Sequence, residues 1–107
     1  MGDEFRVIVE PNAGLPETIL NRIAQSPLCV RVGADSLLLK DPAIANHWNY
    51  DIRIFRISIA EILIEITNSS QALYDVVLAG LSGNLYQVFE DGYYEETLTL
   101  ASAFNAR

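Results

Sequence analysis

The chain of 107 residues predicts a single α+β domain spanning residues 1–107. The expected architecture is one antiparallel or mixed sheet of about five to six strands with two helices. Three observations predict it. Short runs rich in β-branched and aromatic residues recur along the chain, bounded by Gly, Pro, Asn and Asp. Two segments between them carry apolar residues at helical spacing. Half of the residues are hydrophobic (50%) and a fifth are charged (20%), a balance that supports one packed core and excludes an intrinsically disordered chain.

The elements follow in order. Residues 5–10 (FRVIVE) alternate and are β-branched, which predicts a first strand. Pro11-Asn12-Ala13-Gly14 breaks it, and Pro16 with Glu17 suits the opening of a helix. Ile19, Leu20 and Ile23 share one face of that helix, which runs over residues 16–25 and stops at Ser26-Pro27. Residues 28–32 and 37–40 read as two strands joined through Gly33-Ala34-Asp35-Ser36. Residues 41–49, with Pro42, Asn46, His47, Trp48 and Asn49, read as a loop or a single helical turn.

Residues 50–67 admit two readings. Isoleucines at 52, 54, 57, 59, 62, 64 and 66 fit a long strand with one or two bulges. In residues 58–67, Ser58 and Glu61 also form a capping-box pattern ahead of a helical stripe of Ile59, Ile62, Leu63 and Ile66. The density of isoleucine favours strand. Asn68-Ser69-Ser70 caps a second helix whose face is Leu73, Val76, Val77 and Leu81, closed by Gly80 or Gly83. Residues 85–90 and 93–100 predict a terminal hairpin about Asp91-Gly92. The tail 101–107 is expected to fray.

Several chemistries lack their residues. Cys29 is the single cysteine and His47 the single histidine, so a disulfide, a thiolate metal cluster and a histidine-based nucleophilic triad are not expected. Cys29 lies between Leu28 and Val30 and reads as a small buried hydrophobe. The glycines of Gly80-Leu81-Ser82-Gly83-Asn84 lack the lysine and spacing of a phosphate-binding loop. Glu61 and Glu65 share a face on either reading of their segment, and carboxylates so spaced read as a solvated face rather than a catalytic pair. An enzyme and a bound cofactor are therefore not expected. The acidic start Met1-Gly2-Asp3-Glu4 is unlike a secretory signal. Charges at Arg53, Arg56, Glu61 and Glu65 interrupt the longest apolar stretch, so a membrane helix is not expected and a cytoplasmic location is the default.

Charge is the informative property. The net charge is −7, from 14 acids against 7 bases. Seven acids and six bases lie in residues 1–56; residues 57–106 hold seven acids and no base. A phosphate backbone requires clustered Lys and Arg, so direct nucleic-acid binding is disfavoured, whereas an acidic face can steer a basic partner inward. The terminal hairpin carries the suitable chemistry. Tyr86, Phe89, Tyr93 and Tyr94 interleave with Glu90, Asp91, Glu95 and Glu96, placing tyrosine anchors among charges as binding hot spots do. The bland alternative is that the tyrosines pack the sheet while the acids face water.

In size, acidity, α+β character and the residue 86–96 segment, the chain resembles bacterial toxin-immunity proteins, including those of contact-dependent growth inhibition systems. The resemblance implies a protein that binds and neutralises a cognate toxin domain, often a nuclease, by covering a basic surface. The partner-binding residues would be Tyr86, Glu90, Asp91, Tyr93, Tyr94, Glu95 and Glu96. An alternative of another class is a small adaptor or structural subunit, without catalytic activity, that self-associates through an exposed isoleucine strand.

Overall fold

The computed structural model describes residues 3–9, 15–45 and 49–105. Among them, seven strands form one antiparallel sheet. They are β1 (Asp3–Val9), β2 (Cys29–Val32), β3 (Ser36–Leu39), β4 (Ile52–Arg56), β5 (Glu61–Ile66), β6 (Tyr86–Glu90) and β7 (Tyr93–Leu98), in the order β2-β3-β4-β5-β1-β6-β7. Three helices complete the chain: α1 (Leu15–Ala24), α2 (Gln71–Leu81) and α3 (Leu100–Asn105). The expected α+β class is the observed one, with more strands and one more helix than the sequence suggested.

The period-two pattern decides which face is covered. In β1, Phe5, Val7 and Val9 are buried while Arg6 and Ile8 stand on the opposite face. Ile52 and Ile54 of β4 and Ile62, Ile64 and Ile66 of β5 lie in the same core as Val7. Ile19 and Ile23 of α1 and Val77 and Leu81 of α2 pack onto them. Both longer helices thus cover one face and leave the other open. Each isoleucine so buried contributes about 1.5–3 kcal/mol of transfer free energy. The isoleucine strand invoked for self-association is therefore spent on the core; the exposed isoleucines are Ile57 and Ile59, in the β4–β5 connection.

Three expectations are corrected, and one is decided between its two alternatives. Residues 50–67 are neither one bulged strand nor a strand followed by a helix. They form the antiparallel hairpin β4–β5, in which Ile52 faces Ile66 and Ile54 faces Ile64. The offset by three in the isoleucine series is the turn, where Ala60 N–H donates to Ser58 Oγ at 3.2 Å and Ile57 N–H to Glu61 O at 2.9 Å. The tail is ordered through α3: Leu100, Ala103 and Phe104 are buried, and Tyr74 meets the Phe104 ring edge-on at 5.4 Å. Gly80 does not close α2. It lies inside the helix where a Cβ would collide with Ile23 Cγ1, so it permits α1 and α2 to approach. Leu81 ends the helix, Ser82 caps it, and Gly83 follows at φ +84°. Finally, Cys29 is half-buried rather than buried, packed against the margin of the core.

The remaining expectations for elements hold within a residue or two. Ser70 is the N-cap of α2, its hydroxyl accepting from Leu73 N–H at 3.2 Å. Gly92 takes φ +89° at the β6–β7 turn, a conformation that favours glycine. Arg22 Nη1 donates to Ser82 O at 3.1 Å and ties α1 to the end of α2. Residues 41–45 begin the expected loop; Asn46, His47 and Trp48 lie outside the described residues.

Candidate functional site

The hairpin β6–β7 ends the sheet. β6 lies between β1 and β7, with Val88 and Phe89 buried, whereas Tyr93, Tyr94, Glu95, Glu96 and Thr97 of β7 are all exposed. The seven residues singled out in the sequence are thus brought to one edge, but they are not equivalent. Tyr86 is half-buried against the core. Tyr93 and Tyr94 are 45% and 46% exposed, enough to offer ring surface to another molecule. Tyr94 is braced: its hydroxyl donates to Asp91 Oδ1 at 2.9 Å, and its ring meets Phe89 edge-on at 5.7 Å.

The acids divide in the same way. Arg6 crosses the open face of the sheet and donates from Nη1 to Glu61 Oε1 and from Nη2 to Asp91 Oδ1, both at 2.9 Å. The Arg6 guanidinium also lies 5.9 Å from the Tyr94 ring centroid. Burial works against the Arg6 charge, but the hydrogen bond to Glu61 and the electrostatic interactions with Tyr94, Asp91 and Glu61 outweigh it and raise its pKa above the ordinary value. Arg53 Nε stands 3.1 Å from Glu65 Oε1, close enough to pair as charges although out of line for a hydrogen bond. Glu61 and Glu65 are therefore the anionic halves of two cross-strand ion pairs on the open face. Glu90, Glu95 and Glu96 have no ion pair among the described residues and are exposed. Tertiary pairing removes Glu61, Glu65 and Asp91 from the acidic surplus of the C-terminal half; Glu90, Glu95 and Glu96 remain on the terminal hairpin and Asp75 on α2.

A second polar site escaped sequence reasoning. Asp51 is fully buried and Asp41 is 7% exposed, and each is enclosed by donors. Asp51 Oδ2 accepts from Asp41 N–H at 2.8 Å, and Oδ1 accepts from Asn68 Nδ2 at 3.1 Å, with Lys40 Nζ 3.5 Å away. Asp41 Oδ1 accepts from Ala43 N–H at 2.9 Å, and Oδ2 accepts from the Ser70 hydroxyl at 2.6 Å. The bonds from Ser70 and Ala43 hold the Asp41 carboxyl below its ordinary pKa, assisted by Lys40 and opposed by burial. The cluster joins the end of β3, the start of β4, the end of β5 and the N-cap of α2. Its one legible signal was Asp41-Pro42-Ala43, a sequence suited to the turn that Asp41 caps. Nothing local marks Asp51, because its partners lie 10 and 17 positions away.

Among the described residues no three His, Cys, Asp or Glu side chains are grouped to hold a metal ion. No described helix is long and apolar enough to cross a membrane. A cleft of about 290 Å³ between α2 and α3 is lined by Ser69, Ser70, Gln71, Tyr74, Ala101 and Phe104, with no charged residue in its lining. The arrangement defines an open-faced α+β domain with an acidic, tyrosine-bearing edge strand. No protein-family model matches the chain, and no curated protein or solved structure is significantly similar to it.

Proposed function

We propose that this protein binds a basic protein domain and neutralises it by occlusion, as an immunity or antitoxin protein does. One observation carries the reading: Glu90, Glu95 and Glu96 are exposed and unpaired among the described residues, beside the exposed rings of Tyr93 and Tyr94. Unpaired acids accelerate encounter with a basic surface, and the braced ring of Tyr94 supplies contact at low entropic cost. Asp91 and Tyr86 act in a supporting role, Asp91 by holding Tyr94 and Tyr86 by anchoring β6. The partner would be a toxin domain of basic character, such as a nuclease whose substrate surface is cationic.

The test is co-expression with the product of the neighbouring gene, followed by stopped-flow association at several salt concentrations. A stoichiometric complex is expected, with an on-rate that falls as salt rises. Glu95→Lys with Glu96→Lys should lower the on-rate on the order of tenfold and flatten its salt dependence. Unchanged kinetics in that double variant would sink the proposal.

A further inference from the structure

We infer that a cleft on the open face of the sheet, between β3 and β4, is a binding site for a small organic monocarboxylate with a compact apolar body. The cleft holds about 390 Å³ and is lined by Asp35, Ser36, Leu38, Arg53, Phe55 and Arg56. Small-molecule sites typically occupy about 300–1,000 Å³, so its size is sufficient. β5 and β1 separate its strands from the β6–β7 hairpin, and the inference does not rest on the proposed function.

The register builds the cleft. Ser36 faces Phe55, and Leu38 faces Arg53. Directly opposed residues of an antiparallel pair point to the same side. Their chain neighbours Leu37, Leu39, Ile52 and Ile54 are buried in the core, so these four stand on the opposite, open face. Leu38 and Phe55, both half-buried, supply apolar surface. The Arg53 guanidinium lies 5.2 Å from the Phe55 ring centroid, which steadies the cation beside that surface.

The two arginines are unequally employed. Arg56 is held by two carboxylates: its Nε donates to Asp35 Oδ1 at 3.0 Å, and its Nη1 stands 3.6 Å from Glu17 Oε1. Arg53 meets one carboxylate, Glu65, whose Oε1 stands 3.1 Å from Nε. The Nη groups of Arg53 make no hydrogen bond among the described residues, and the side chain is 42% exposed. A guanidinium offers more donors than one carboxylate can use, and Nη1 with Nη2 can receive a second one in bidentate fashion. The Ser36 hydroxyl, on the same wall, is likewise uncommitted among the described residues.

Charge limits the ligand. Two arginines and Asp35 leave the lining a single positive charge, and Glu17 and Glu65 approach from outside it. That margin accepts one negative charge and opposes a polyanion such as a phosphate ester. Bidentate geometry suits a carboxylate, and Leu38 with Phe55 favours an apolar body over a hydrated one.

The experiment titrates the full chain, ¹⁵N-labelled, with benzoate and follows the main-chain amides and the arginine Nε–H signals. Benzamide has the same ring without the charge, and acetate the same charge without the ring. Benzoate is expected to shift residues 36–38 and 53–56 and the Arg53 Nε–H along one saturating curve. Benzamide and acetate should each bind on the order of tenfold more weakly. Arg53→Gln should weaken benzoate on the order of tenfold, and Arg53→Lys should restore it only in part, because an ammonium lacks the planar fork. The absence of a saturating shift at these residues overturns the inference. Equal binding of benzamide overturns it as well, by reducing the cleft to an apolar crevice. Shifts at Arg6 and Arg22 as large as at Arg53 do the same, as general ion association, and so does full affinity in Arg53→Gln. Should that variant fail to fold, the three probes compared on the unsubstituted chain decide by themselves.

Discussion

The buried pair Asp41–Asp51 and the edge acids Glu90, Glu95 and Glu96 use one chemistry in opposite ways. Each buried carboxylate is met by a main-chain N–H and a neutral side-chain donor, with Lys40 nearby, and the pair ties four elements together. The edge acids have no such partners among the described residues and face water. Burying a carboxylate is costly unless donors replace its water, so every bond in the first group is committed to folding. Exposed acids contribute little to stability and are free to act on something else. Asp91 lies between the two groups: it sits on the hairpin but is held by Arg6 and Tyr94.

The contrast can be broken by substitution, beginning with the largest effect. Asp51→Ala should destabilise the fold by about 3 kcal/mol, because Asp41 N–H, Asn68 and Lys40 lose their common acceptor in a buried site. Urea denaturation measures it, and a loss close to zero would remove Asp51 from its structural role. Gly80→Ala, outside both regions, calibrates the scale. The added methyl meets Ile23, and the two helices must part at a cost of about 1–3 kcal/mol.

Next comes acid. The Asp41 pKa is depressed in the folded state, so its contribution is fully present above the unfolded value, about 3.9. It is lost as pH falls from there through the folded pKa. Melting temperature should therefore drop more steeply below about pH 4 in the wild type than in Asp41→Asn, which has no carboxyl to protonate. Equal acid limbs in the two proteins would contradict this. The smallest change in stability, within about 0.5 kcal/mol, is expected for Glu95→Lys with Glu96→Lys. A loss comparable to that of Asp51→Ala would place those residues in the fold rather than at a free edge.

The hairpin was legible because its signals are local. Asp91-Gly92 requires a turn, and tyrosines beside acids over a few positions read as a strand with a polar margin. The β4–β5 turn was less legible, since Ser58-Ile59-Ala60 contains neither Gly, Pro nor Asn, and isoleucines continue through it. The α3 segment was missed for a different reason. Leu100, Ala103 and Phe104 make a face too short to announce a helix, and the contact of Phe104 with Tyr74 stabilises it from a distance.

The sequence alone determined the α+β class, a helix cap within Asn68-Ser69-Ser70 and the acidic surplus of the second half. These follow from side-chain period, turn chemistry and charge, which are properties of near neighbours. Tertiary structure alone decided which acids remain free. Arg6 reaches Glu61 and Asp91 across 55 and 85 positions of chain, and Asp51 finds Asn68 across 17. Strand order sets those meetings, because an ion pair forms where backbones place two groups within a few ångströms, however far apart they lie along the chain.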